Sequence, residues 1–206
     1  TVSAAHLRID DLVATNTSAR LVLGPQKIVF MDLQADLLGG HHTGDWVLDL
    51  ASAKPSYSGR GRLQHLNVQL LSTAMKETWG SGDLDLQYRL NMHGSKGAEL
   101  FDTAAGSAQF DWRNGKLFGN PASHDVIDFA DWSGAAMLKD RAIHLEENRV
   151  RSNSGVQRVS GVVALDKSSE LEFKKPKGPG FIWKGPLDAP EISGLPNNTS
   201  WLEVRP

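Results

Sequence analysis

A mainly β fold is predicted for this chain by three observations. Apolar and polar residues alternate with period 2, glycine-centred reversals separate the alternating runs, and one strand unit recurs far along the chain. In the first copy, Ala19, Leu21 and Leu23 alternate up to Gly24-Pro25-Gln26, and Ile28 and Phe30 resume the pattern. Leu33, Ala35 and Leu37 read as a third strand before Gly39-Gly40 turns the chain. Gly44 then opens a fourth strand with Trp46, Leu48 and Leu50. In the second copy Ala136 and Leu138 lead to a turn at Asp140-Arg141, Ile143 and Leu145 return, Ser154-Gly155 reverses, and Gly161 opens Val162 and Ala164. A repeat in fixed order implies stacked supersecondary units.

The remaining elements follow from the same rules. Leu7 and Ile9 flank Arg8 in a strand, and Asp10-Asp11 offers a reversal into the first unit. Lys54-Pro55 breaks the pattern, after which Tyr57 to Leu63 reads as a strand whose Gly59 and Gly61 imply a bulge or a close backbone approach. A helix is expected at about 66–79: Asn67 suits the N-cap, Leu66, Leu70, Leu71, Ala74, Met75 and Trp79 form one stripe, and Gly80 suits C′. Leu84, Leu86, Tyr88 and Leu90 alternate against Asp83, Asp85, Gln87 and Arg89, which demands one dry and one wet face. A shorter helix at about 96–105, capped by Ser95, carries Ala98, Leu100 and Phe101. Ala108, Phe110 and Trp112 follow as a strand, and Asn114-Gly115 predicts a type I′ hairpin. From Pro176 on, proline and glycine crowd the chain, so only Phe181 to Trp183 reads as strand there. The expected division is a β-rich domain over 1–190 and an irregular tail over 191–206.

Composition narrows the function. At 206 residues, 40% apolar and 22% charged, the chain suits one sizeable domain rather than a disordered one. A net charge of −2 without a dense Lys/Arg cluster argues against a nucleic-acid partner. The absence of cysteine excludes disulfides, zinc thiolates and cysteine nucleophiles. No apolar run is long enough for a membrane helix, and no leader pattern is present. The start at Thr1, in mid-pattern, reads as part of a longer protein whose membrane anchor lies outside this sequence.

Catalytic chemistry finds little purchase. His41, His42 and Asp45 are metal-ligand types, yet adjacent strand residues point to opposite sides, so a polar turn is the better account. Asp83 and Asp85 share a face and have the spacing of an acid–base pair, but the solvent-facing pattern around them makes solvated carboxylates the default account, and Glu146-Glu147 point apart. No Gly-x-Ser-x-Gly elbow, phosphate loop, His-Glu-x-x-His or dinucleotide fingerprint occurs. No enzyme activity, cofactor or metal is expected. Among the six tryptophans, Trp46, Trp79 and Trp112 sit in patterned elements and read as packing residues, whereas Trp183 and Trp201 are less constrained.

Several runs in order resemble the C-terminal region of the AsmA family of bacterial proteins. They are Leu33 to Trp46 with its Gly39-Gly40 turn, Trp79 to Leu86, and Gly97 to Phe101 followed by Ala105 to Leu117. Ser160 to Val163 and Trp183 to Pro190 complete the series. The resemblance implies a long twisted antiparallel sheet curved into a groove or open barrel. It further implies a non-catalytic periplasmic module of a protein attached to the bacterial inner membrane, serving phospholipid transport or envelope lipid homeostasis. Phospholipid or another acyl lipid is the implied partner, with envelope proteins as further candidates. The lipid-facing residues are then Leu21, Leu23, Ile28, Phe30, Leu37, Trp46, Leu48, Leu84, Leu86 and Leu90. The charged stretch at His144, Glu146, Glu147, Arg149 and Arg151 is expected to narrow or interrupt that face in the second unit. Two other readings stand beside this one: a closed core with an exposed strand edge that assists outer-membrane assembly, and an all-β carbohydrate-binding module.

Overall fold

A computed structural model describes residues 1–9, 12–119 and 126–194. Over these residues the chain forms one antiparallel sheet of 13 strands in sequence order, each paired with the next, and the sheet is not closed into a barrel. The strands are β1 (Val2–Ile9), β2 (Leu12–Gly24), β3 (Lys27–Leu37), β4 (Gly40–Asp49), β5 (Ser56–Asn67), β6 (Gly80–His93) and β7 (Ala105–Phe118). They continue as β8 (Val126–Lys139), β9 (Ala142–Ser152), β10 (Gly155–Ala164), β11 (Ser168–Lys174), β12 (Phe181–Pro186) and β13 (Glu191–Gly194). Helix α1 (Val68–Ala74) joins β5 to β6, and α2 (Gly97–Thr103) joins β6 to β7. A meander of this kind needs only short connections, which is why glycine turns and two short helices suffice.

The recurring unit is present with three strands where four were expected. Lys27–Leu37 is a single strand, bent at Asp32 (φ 52°), where the register with β4 shifts between Phe30 and Leu33. The second copy matches it: β9 also has 11 residues and bends at its midpoint, Glu147 (φ 51°). At each bend the released backbone N–H finds a side-chain acceptor on the next strand. Asp32 N–H donates to Asp45 Oδ1 (3.1 Å), and Glu147 N–H donates to Ser160 Oγ (3.0 Å). His65 in β5 (φ 56°) repeats the arrangement, donating to Asp85 Oδ1 at 2.8 Å. Bulges bend the strand and strengthen its twist, so their recurrence curves the sheet.

Other expectations need correction. Asn114-Gly115 makes no hairpin: β7 passes through it, pairing with β8 from Gly106↔Leu138 to Phe118↔Val126. The positive φ that would have served a type I′ turn appears at Asn114 (48°) inside the strand. Helix α1 is shorter than 66–79 because Leu66 remains in β5, paired with Leu84, while Asn67 caps the helix by accepting from Leu70 N–H. Helix α2 begins after Lys96 rather than Ser95 and has no side-chain cap. Within the expected tail, Glu191–Gly194 forms β13 on β12. The reversal at Asp10-Asp11 and the remainder of the tail, including Trp201, lie outside the described residues.

The core lies toward the C-terminal half. Trp112, Phe129, Trp132, Val150, Val159, Leu171, Phe173 and Trp183 are buried together, with Leu66 and Val68 from the α1 corner. Trp132 on β8 meets Phe173 on β11 at 6.0 Å between ring centroids, although two strands intervene. Lys167, in the β10–β11 turn, reaches the segment behind α1 and bonds Glu77 Oε1 (2.6 Å) and the Met75 carbonyl (3.3 Å). This half of the sheet therefore rolls over its own apolar face.

Candidate functional site

Strand registers place the ten apolar residues singled out above on one face. Leu21, Phe30, Trp46, Gly59 and Leu90 form one cross-strand row, and Leu23, Ile28, Leu48, Tyr57 and Met92 form the next. Leu84 and Leu86 pair with Leu66 and Leu63 in the same face, and Leu37 pairs with Gly40 at its end. Nine of the ten are half-buried and Leu23 is 69% exposed. This degree of cover contrasts with the same face in the rolled half, where Val150, Val159 and Phe173 are 0% exposed.

From β2 to β12 this inner face carries no Asp, Glu, Lys or Arg among the described strand-paired residues. The expected interruption at the second unit does not occur. Ile143, Leu145 and Val150 continue the face with Asn148 as a polar member, while Glu146, Glu147, Arg149 and Arg151 are exposed. Asn148 is accommodated by Gly134, where a Cβ would stand 2.0 Å from its Oδ1, and that oxygen accepts from Ala135 N–H. Trp183 is likewise part of this core at 1% exposure, as tightly held as the tryptophans against which it reads as less constrained. Sequence reasoning misses Phe129, Trp132, Leu171 and Phe173 as members of the face. The alternation of Ser169, Leu171 and Phe173 in β11 is the available signal, hidden between charged residues that face the other way.

A hydrogen-bonded polar group interrupts the open half. Tyr88 Oη lies 2.7 Å from His42 Nε2 and accepts from Trp46 Nε1 at 3.3 Å. The Tyr88 hydroxyl has one proton, and with Trp46 occupying an acceptor position that proton suits the His42 nitrogen. Burial holds the His42 imidazole below its ordinary pKa, helped by the charge of His41, and burial raises Tyr88. Both shifts favour the neutral pair. Glycines make the space: a Cβ at Gly59 would stand 2.3 Å from the Trp46 ring, and one at Gly61 would stand 2.7 Å from His42 Nε2. These two glycines permit close approach, since the β4–β5 register runs through them without a bulge.

The opposite face is a lattice of ion pairs. Arg20 pairs with Asp32, Arg60 with Asp45, Arg113 with Asp85, Arg151 with Asp131, and Lys184 with Glu170. His41 stands on this side, 2.6 Å from Asp36, whose pKa is lowered by the Asn16 amide and then by His41. His41 and His42 thus lie on opposite faces, as strand period requires. His65, Asp83 and Asp85 bring ligand-type atoms within 4.8 Å of one another. Arg113 pairs with both carboxylates, and His65 contacts them through Nδ1 (3.1 Å to Asp83) and its backbone N–H. This arrangement is a charge network in which Asp83 Oδ1, buried, meets Arg113 only at 3.9 Å and has no hydrogen bond. A trough of about 520 Å³ along Arg62, Asp85, Gln87, Gln109 and Asp111 belongs to this hydrophilic side.

Comparison with protein families, curated proteins and solved structures finds no match for this chain.

Proposed function

We propose that the chain is a non-catalytic lipid-handling module that holds acyl chains on the inner face of β2 to β6, in the manner the AsmA resemblance implies. One observation carries the reading: a wide sheet face without charged side chains stays half-covered over five strands while the remainder rolls into a core. An acyl chain laid there gains about 0.8 kcal/mol for each methylene fully removed from water, and its head group needs no dedicated ligand. A periplasmic setting, attachment to the inner membrane through a segment outside this sequence, and a role in envelope lipid homeostasis belong to the same proposal. The acid-free inner face lends no support to sugar binding, which calls for carboxylates beside aromatic rings.

The test is native mass spectrometry of protein purified without detergent. Co-purified phospholipid is expected on the wild type, and Leu86→Asp, which puts a charge in the middle of the face, should abolish it while circular dichroism stays β-rich. A wild type without lipid would overturn the reading. One feature favours the interaction-module alternative: β1 is an eight-residue edge without a strand partner among the described residues on its outer side.

A further inference from the structure

The three most exposed large apolar side chains among the described residues gather at one end of the strands. Leu23 (69%) and Phe101 (67%) stand at the β2–β3 turn and on α2, and Met137 (51%) lies two residues before the end of β8. Val22 and Leu50, also exposed, belong to the same end. Contacts weld these pieces into one rim. Leu50 N–H donates to Gln26 O (2.7 Å), Gly94 N–H donates to Pro55 O (2.9 Å), Lys54 pairs with Glu99 (3.6 Å), and Arg141 pairs with Asp102.

Helix α2 is the sharpest part of the pattern. None of its seven residues is buried, so hydrophobic packing within the chain does not account for Phe101. Around these tips stand Lys27, Lys96 and Lys139, exposed and without an acidic partner among the described residues, and Asp140 is the exposed acid in the adjoining turn. Of the other acids of the rim, Glu99 pairs with Lys54 and Asp102 with Arg141, while Asp49 accepts from the Ala51 N–H and Asp166 from Ser168, bonds that leave both carboxylates charged. Apolar tips ringed by free lysines complement a bilayer surface, where side chains enter the acyl boundary and ammonium groups meet anionic head groups.

We propose that this rim docks on an anionic phospholipid bilayer, with Leu23, Leu50 and Phe101 inserted and Lys27, Lys96 and Lys139 at the head groups. Its purpose rests on the acyl-chain reading of the inner face, because Leu23 belongs both to the rim and to the apolar row of Ile28 and Leu48. A lipid leaving the bilayer beside Leu23 meets that row directly.

Vesicle flotation tests it, using phosphatidylcholine mixed with phosphatidylglycerol against phosphatidylcholine alone. Wild type is expected on the mixed vesicles, more weakly at raised salt. Leu23→Ser combined with Phe101→Ser should lower the affinity about ten-fold or more. Lys96→Gln with Lys139→Gln should remove the preference for the anionic vesicles, and Leu70→Ser, on α1 at the opposite strand ends, should change nothing. Absence of wild-type binding, binding indifferent to the Leu23 and Phe101 changes, or a self-association that those changes abolish without any vesicle binding would each overturn the proposal. Lipid-free protein that still docks refutes the inner-face reading alone. Lipid-loaded protein indifferent to vesicles refutes the rim alone.

Discussion

At the scale of single residues, the open face is shaped by what glycine permits. Gly59 and Gly61 let Trp46, His42 and Tyr88 lie against β5, and the resulting hydrogen bonds are the principal polar feature of that half. A consequence is pH dependence. Burial lowers the His42 pKa in the fold, so the unfolded chain takes up a proton first as pH falls below about 6.5. The unfolded state then binds more protons, and stability decreases from that point down to the folded pKa. Thermal melts at stepped pH should show this loss for wild type, and His42→Phe should lessen it; an unchanged slope in the variant would assign the loss elsewhere. The sequence showed Gly59 and Gly61 as a site of bulge or close approach. It did not show which, because the answer depends on the ring that β4 lays across them.

At the scale of elements, the strands owe their shape to bulges whose freed donors are satisfied. Asp85 accepts the His65 N–H and also pairs with Arg113, so Asp85→Ala should cost about 1–2 kcal/mol in chemical denaturation, with Asp85→Asn recovering part of it. Equal stability of all three proteins would mean that water serves the bulge as well. Local sequence identified β6 through clean alternation and β2 through Ala19, Leu21 and Leu23, but read bulged β3 as two strands and caught β9 only at Ile143 and Leu145. Asn114-Gly115 misled for a related reason. The dipeptide supplies positive φ at low cost, and a strand bulge uses that freedom as readily as a two-residue turn. Only the uninterrupted partner strand, β8, distinguishes the two.

At the scale of the molecule, one face serves two ends. In β7 to β12 it closes around stacked Trp112 and Trp132, with Phe173 against Trp132, and in β2 to β6 it stays open. The closed part supplies the stability that lets the open part remain uncovered. Phe173→Ala should therefore cost about 3–5 kcal/mol and shift tryptophan emission to the red as the rolled half loosens. A loss below about 1 kcal/mol would show that the roll collapses onto the vacancy and that Phe173 does not anchor it.

Sequence by itself determined the mainly β class, the face assignment of Leu21 through Leu90, and the separation of His41 from His42. Each rests on period 2 within an unbulged run, which is local and cannot shift without moving every side chain to the other face, whereas Phe30 and Leu37 share a face only through the bulge at Asp32. Tertiary structure alone decided where that face is covered. Leu86 and Leu171 carry the same alternation signal, yet Leu86 is half-covered and Leu171 is 3% exposed. The difference arises from the accumulated bending of bulged strands, which brings β11 over β8 and Lys167 to Glu77, contacts between residues that no local pattern relates.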